Sequence, residues 1–180
     1  YAPDDLAEFY ERIAAAARIP VLIYNLPAFT GGLPVELAVR LINQQPGIAG
    51  IKDSSGRLDI LERLAAQGGG ATALVGNDTV LAEALRRRLC DGVISGVAGV
   101  APELTIALWR SAQSGDWETF GQVDARLREL IAHLEAFPTP WGLKMMAEAR
   151  GLGRATYALP LSKARQMQIA AFHEWFSRWW

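Results

Sequence analysis

Residues 47–56 read Gly-Ile-Ala-Gly-Ile-Lys-Asp-Ser-Ser-Gly, an apolar run that ends on a lysine and continues into a polar loop. Short apolar runs bounded by glycine are typical of buried strands. A lysine at the last strand position has an unfavourable desolvation free energy, because burial removes water from the ammonium group. We therefore expect a functional reason for its presence. Burial also favours the neutral amine, which can attack a carbonyl carbon. The alternative is that Lys52 reaches out of the strand end into water.

A second apolar run, residues 20–23, ends in the same way, on Tyr24 and a turn-rich loop. In a parallel α/β array the C-terminal ends of consecutive strands lie at one edge of the sheet. Tyr24 and Lys52 are therefore predicted to point into the same opening (mouth) at that edge. A phenol beside an amine can relay protons while an imine forms. For Tyr24 alone, a hydrogen bond to a loop carbonyl is the commoner role. The pairing with Lys52 is what favours a role for Tyr24 in catalysis.

Strands and amphipathic helices alternate through the first part of the chain, which predicts an α/β fold with four parallel βα units. The predicted strands cover residues 20–23, 48–51, 71–75 and 92–95. Asp78 is predicted to cap the helix that follows the third strand. After Pro102 the pattern is wholly helical. We therefore expect a parallel α/β unit over residues 1–112, which the family resemblance described below implies to be a partial (β/α) barrel, and a C-terminal helical region over residues 113–180.

Composition excludes several classes of function. The net charge of −1 gives no electrostatic basis for binding nucleic acid, and no apolar stretch is long enough to span a membrane. The single cysteine, Cys90, rules out an internal disulfide and suits a reducing cytoplasm. His133 and His173 are isolated on predicted helices, so no metal site is predicted.

Three motifs, at residues 24–31, 50–56 and 92–96, resemble those of the dihydrodipicolinate synthase/N-acetylneuraminate lyase family. The resemblance extends through residues 138–144. It implies that the chain corresponds to the C-terminal half of a (β/α)8 TIM barrel. It also implies a class I lyase or aldolase that forms a Schiff base with pyruvate or a related 2-oxo acid. Such enzymes need no cofactor, and the family tends to form homo-oligomers.

The resemblance also implies roles for individual residues. Lys52 would form the imine, and Tyr24 would donate and accept protons. Ile94 would line the pocket for the 2-oxo acid through its backbone. Ser95 and Gly96 lie at the same predicted mouth, where a glycine lets a ligand approach backbone amides closely.

Phe29 departs from the pattern of the synthases in this family. Those enzymes usually carry an arginine at this place in the loop, where it serves the carboxylate of the second substrate. An apolar ring argues against that reaction, and residues 53–55 also resemble the sugar-acid aldolase branch. We therefore assign Phe29 to substrate binding and expect a 2-oxo sugar acid as substrate. The alternative is a 4-hydroxy-tetrahydrodipicolinate synthase.

The extent of the chain is a second departure. The Gly-Thr-Thr-Gly-Glu motif that holds the substrate carboxylate in the family has no counterpart here. Residues 1–3 resemble the loop that follows the fourth barrel strand, so we expect the C-terminal portion of a longer enzyme. The remaining alternative is a non-catalytic half-barrel remnant.

Overall fold

A computed structural model describes residues 1–158 and 160–180 of the protein. The chain divides into two compact units, Tyr1–Ser95 and Gly96–Trp180. The first unit contains the parallel sheet, and the second is helical. The boundary between the compact units falls before the helical region that the sequence analysis placed at residues 113–180.

The first unit is built on a four-stranded parallel sheet whose strands follow one another in sequence order. The strands are β1 (Val21–Asn25), β2 (Ile48–Asp53), β3 (Thr72–Val75) and β4 (Gly92–Val93). Helix α1 (Pro3–Ala16) precedes β1, and the helices between the strands are α2 (Val35–Gln44), α3 (Asp59–Gln67) and α4 (Leu81–Arg86). This order confirms the prediction of four parallel βα units.

The two faces of this sheet differ in burial. Ile23, Ile51 and Val75 point to the helices and are fully buried. Because side chains alternate along a strand, the neighbouring residues Tyr24 and Lys52 lie on the opposite face. That face is the more open one, with Leu22 and Tyr24 exposed. The alternation places the predicted reactive side chains where a small molecule can reach them.

Two local predictions in this unit are wrong. The fourth strand was predicted to reach Ser95 but ends at Val93, although the Ile94 amide still donates to the carbonyl oxygen of Val75 at 2.9 Å. The chain turns into the next helix at Gly96, which leaves no room for a longer ladder.

Asp78 was predicted to cap a helix, but Asn77 is the N-cap: its side chain accepts a hydrogen bond from the Thr79 amide at 3.0 Å. Asp78 is instead the first residue of a 3-10 turn that precedes α4, and its carboxylate accepts a hydrogen bond from the Ser95 hydroxyl at 2.6 Å. The cause of the error is that short turn. It starts the helical backbone ahead of the apolar stripe from which the cap was predicted.

The second unit confirms the predicted helical region. Its helices are α5 (Gly96–Val100), α6 (Pro102–Ser114), α7 (Trp117–Glu135), α8 (Trp141–Ala149) and α9 (Lys163–Trp179). Asp116 and Ser162 cap α7 and α9 with side-chain hydrogen bonds. The short helix α5 was not predicted, because its glycine- and valine-rich sequence carries no amphipathic signal.

The aromatic residues of α9 pack within this second unit; they are Phe172, Trp175, Phe176 and Trp179. Phe172 and Phe176 are buried, and the Trp175 ring stacks on the His133 ring of α7 with 3.5 Å between centroids. Arg126 of α7 lies over the Trp179 ring. Intramolecular packing thus accounts for much of this aromatic cluster.

Two further observations concern membrane-spanning helices and the single cysteine. No helix in the described ranges is both long enough and apolar enough to cross a bilayer. Cys90 is half-buried, and burial raises the pKa of its thiol to about 11. A thiol with that pKa stays protonated near neutrality and is a poor nucleophile.

Candidate functional site

Tyr24 and Lys52 are direct register partners on the adjacent parallel strands β1 and β2. Their side chains therefore emerge from the same face at the C-terminal end of the sheet. The Lys52 Nζ atom lies 4.0 Å from the centroid of the Tyr24 ring. The structure thus brings together the two side chains that the sequence placed at one mouth.

The phenol of Tyr24 is tuned by its neighbours. Burial by itself raises the pKa of Tyr24, but the Lys52 ammonium and the Ser54 hydroxyl together outweigh it. The pKa of Tyr24 therefore lies below its ordinary value of 10.0. Tyr24 remains 48% exposed, so the phenol is open to a ligand as well as to Lys52. A phenol whose pKa is lowered by an adjacent amine is suited to proton relay.

Ser54 and Gly76 complete the immediate surroundings of Lys52. From the sequence, Gly76 is expected at this end of the sheet but as an ordinary loop glycine, and Ser54 is not assigned to the site. The Ser54 Oγ atom is buried and makes no hydrogen bond of regular geometry within the described residues. A Cβ atom at Gly76 would overlap Ser54 Oγ and would lie 2.9 Å from Lys52 Cε. A side chain at residue 76 would therefore force Ser54 and Lys52 to move from these positions.

Behind the pair, on the helix-facing side of the sheet, lies a buried polar contact between the next two residues. Asn25 and Asp53 are 4% and 3% exposed, and the Asn25 Nδ2 atom donates to Asp53 Oδ1 at 2.9 Å. Asp53 Oδ1 also accepts from the Ser55 amide, and Asn25 Oδ1 accepts from the Leu33 amide, each at 3.0 Å. These bonds connect the loop after β1 to the loop after β2.

The remaining predicted residues occupy different places. Ile94 follows β4 at the same end of the sheet, with its side chain 52% exposed. Ser95 donates to Asp78, as described above. Phe29 lies on the turn after β1 and is 74% exposed. Gly96 opens α5 in the second unit, where an added Cβ would collide with Leu143.

The arrangement at the end of β1 and β2 can supply a nucleophilic nitrogen, a phenolic proton relay and a buried hydroxyl. Within the described residues, no group of three or more His, Cys, Asp or Glu side chains is placed to hold a metal ion. The fold and the site define a parallel α/β protein with an amine–phenol pair at the C-terminal edge of its sheet.

The comparisons with known proteins assign the chain to a family. The sequence model of the dihydrodipicolinate synthetase family matches residues 1–177, and the chain belongs to that family. A 4-hydroxy-tetrahydrodipicolinate synthase of Thermomicrobium roseum is 36% identical over 160 residues, which are 88% of this chain and 53% of the relative. A probable 2-dehydro-3-deoxy-D-pentonate aldolase of Escherichia coli is 33% identical over 168 residues, which are 88% of this chain and 54% of the relative.

A solved structure gives the same picture at the level of the fold. The chloride-inhibited dihydrodipicolinate synthase of Acinetobacter baumannii, in complex with pyruvate, superimposes with a TM-score of 0.80 at 26% identity. The match covers 97% of this chain and 61% of that protein. The chain thus spans about half the length of the curated relatives it matches. These matches confirm that it corresponds to part of a TIM barrel and that the family is the one its motifs resemble.

Proposed function

We propose that this chain carries the imine-forming site of a class I lyase that acts on pyruvate or a 2-oxo sugar acid. The observation that supports the proposal most directly is the Tyr24–Lys52 pair, with Nζ 4.0 Å from the ring centroid at the open end of the sheet. The family match adds support, because the similar proteins include a 4-hydroxy-tetrahydrodipicolinate synthase and a probable 2-dehydro-3-deoxy-D-pentonate aldolase. Lys52 is the nucleophile and Tyr24 the proton relay.

The chemistry follows from those two groups. Neutral Lys52 Nζ attacks C2 of the 2-oxo acid, so that a C–N bond forms and the carbonyl oxygen takes a proton from the Tyr24 phenol. The nitrogen then loses a proton to the phenolate, and the C2 hydroxyl leaves as water after receiving that proton. Amine and ketone thus become a protonated imine and water, and Tyr24 is left as the phenolate, which can accept a proton from the substrate.

Cleavage of a 2-oxo sugar acid uses the imine as an electron sink. The Tyr24 phenolate takes the proton of the C4 hydroxyl, C4 becomes an aldehyde, and the C3–C4 bond pair moves into the imine to give an enamine. Protonation at C3 and addition of water release pyruvate and regenerate Lys52. Ile94 and Ser95 are proposed to line the 2-oxo acid end of the site, and Phe29 its distal end.

The choice of substrate depends on Phe29. An exposed aromatic ring cannot repay the desolvation of a carboxylate, so aspartate semialdehyde is expected to be a poor second substrate. The alternative, a 4-hydroxy-tetrahydrodipicolinate synthase, is favoured by the name of the relative at 36% identity. The two functions differ in the substrate that each turns over.

Phe29→Arg is therefore expected to raise kcat/KM for condensation of pyruvate with aspartate semialdehyde relative to kcat/KM for cleavage of a 2-oxo-3-deoxy sugar acid. The guanidinium would pair with the carboxylate that the phenyl ring leaves unpaired. Measuring kcat/KM for both reactions in the parent and in the variant tests whether Phe29 determines the choice of substrate. Efficient condensation by the parent itself would favour the synthase and refute the aldolase.

Trapping with borohydride tests the reaction class. Incubation with pyruvate and sodium borohydride should convert the imine to a stable secondary amine, which adds one carboxyethyl group to the intact mass. Pyruvate alone and borohydride alone are the controls. If the chain acquires no adduct under conditions in which a known class I lyase is fully labelled, the proposed chemistry fails.

Gly76→Ala is expected to slow this trapping by roughly 10²-fold, because the added methyl group displaces Ser54 and Lys52 from their positions. Gly70→Ala is the matched control, since a Cβ at Gly70 meets no atom within 4 Å. It should trap at the parental rate. A parental rate in Gly76→Ala would show that the close approach to Lys52 is not needed for the reaction.

No cofactor is assigned, and the proposed partner is the small 2-oxo acid substrate alone, without nucleic acid or membrane. We further propose a cytoplasmic enzyme that forms a homo-oligomer. The half-buried, protonated Cys90 suits a reducing compartment.

A further inference from the structure

Asn25 and Asp53 form a buried polar contact that the proposed chemistry does not use. Each follows directly on a reacting residue, Asn25 on Tyr24 and Asp53 on Lys52, and the two are register partners in the sheet. Their side chains point to the helix-facing side, away from the phenol and the amine. They therefore cannot touch a substrate bound on the open face.

This contact is expensive as a means of stabilising the fold. Asp53 is 3% exposed, and its Oδ2 atom has no hydrogen-bond partner in the part of the chain that the structure describes. A buried carboxylate with one unpaired oxygen costs free energy that an apolar pair of similar volume would not. Such a group calls for an explanation other than stability.

The hydrogen bonds around the contact supply that explanation. Asp53 Oδ1 accepts both from Asn25 and from the Ser55 amide, and the Ser54 amide donates to the Asn25 carbonyl oxygen at 2.8 Å. The backbone of the Lys52 loop is thus fixed to the backbone of the Tyr24 loop, one residue beyond the reacting pair. A shift of either loop would change the distance between phenol and amine.

We propose that Asn25 and Asp53 are positioning residues, whose side-chain hydrogen bond fixes the approach of Tyr24 to Lys52. The inference concerns the geometry of the pair, and it rests on the proposed function only where imine trapping is the readout. A second readout, the titration of the Tyr24 phenol, reports the proximity of Lys52 whether or not an imine forms.

The experiment uses the chain labelled with ¹³Cζ-tyrosine, with the Tyr24 resonance assigned through Tyr24→Phe and followed by NMR over a pH titration. In the parent, Tyr24 should titrate below 10.0, because Lys52 lies beside it. In Asp53→Ala the loops are released, so the pKa of Tyr24 should return toward 10.0. Trapping of pyruvate with borohydride should slow by about 10²-fold, the scale of a misplacement near 1 Å.

A reciprocal exchange separates positioning from general destabilisation. Asn25→Asp alone places two carboxylates against each other and should have the same effect as Asp53→Ala. The double variant Asn25→Asp/Asp53→Asn restores one donor and one acceptor across the contact. The new carboxylate can still accept from Leu33. Asp53 Oδ1 accepts from both Asn25 and Ser55, so the amide that replaces it regains the bond to residue 25 at the expense of the bond to Ser55. The double variant should therefore recover a large part of the Tyr24 titration shift and of the trapping rate relative to Asn25→Asp.

Asp91→Ala is the matched control, since Asp91 Oδ2 accepts from the Ala73 amide at 2.8 Å, next to the start of β4 in the same sheet. It should leave both readouts unchanged. The inference is overturned if folded Asp53→Ala titrates as the parent does, or if the double variant is no better than Asn25→Asp. Should Asp53→Ala fail to fold, the comparison of Asn25→Asp with the double variant decides alone. Failure of the parent to trap pyruvate would count against the proposed function, and the titration would still test the positioning.

Discussion

Lys52→Arg is expected to abolish the trapping of pyruvate by borohydride completely. A guanidinium keeps the positive charge and much of the length of the side chain, but it does not lose its proton in the accessible pH range. No neutral nitrogen is then available to attack C2, so the imine cannot form. Intact-mass analysis after incubation with pyruvate and borohydride measures the loss directly.

The control for this variant is Lys144→Arg. Lys144 donates to the Thr156 carbonyl oxygen at 3.0 Å in the helical unit, a bond that arginine can also make. It should leave trapping at the parental level. Lys52→Met adds an electrostatic test, since removal of the charge should raise the pKa of Tyr24. A full adduct in Lys52→Arg would remove Lys52 from the reaction.

Tyr24→Phe is expected to slow proton transfer by roughly 10²-fold or more, the usual effect of losing a general acid–base group. The ring stays, so the packing against Lys52 is retained and only the hydroxyl is lost. The appropriate measurement is exchange of the methyl protons of pyruvate for deuterium, followed by ¹H NMR in D₂O, because exchange requires the imine to lose a proton at C3. Binding of pyruvate should change much less than the exchange rate.

Tyr10→Phe serves as the matched loss of a hydroxyl elsewhere. Tyr10 lies on α1, where its ring contacts Phe9 and burial raises the pKa of its phenol. This variant should exchange the methyl protons at the parental rate. A parental rate in Tyr24→Phe would instead return Tyr24 to a structural role at the end of β1.

The sequence predicts the backbone of the site well, because strand periodicity and the polar residues that end each run are local signals. The apolar runs before Tyr24 and Lys52 locate β1 and β2, and parallel order then places both side chains at one edge. The end of β4 is less well predicted, since Ile94 suits a strand by propensity but lies just before a short helix that begins at Gly96. The cap at Asn77 was missed for a similar reason: the 3-10 turn leaves no periodic trace.

The supporting residues could not be predicted from the pattern of the chain. Gly76 reads as an ordinary loop glycine until the structure places Ser54 Oγ and Lys52 Cε against it. Asn25 and Asp53 lie 28 residues apart, and their contact follows only from the register of β1 on β2. One signal was present: each is the polar residue directly after a reacting one. The register of β1 on β2 brings Asn25 and Asp53 into contact, and register is a tertiary property.

Peptide mapping of the borohydride adduct tests the central claim most directly. The chain has only three lysines, Lys52, Lys144 and Lys163, and each lies in a different segment of the sequence. After treatment with pyruvate and borohydride, fragmentation should place the carboxyethyl group on Lys52 and leave Lys144 and Lys163 unmodified. An adduct found on Lys144 or Lys163 and absent from Lys52 would contradict the assignment of the amine–phenol pair as the reacting site.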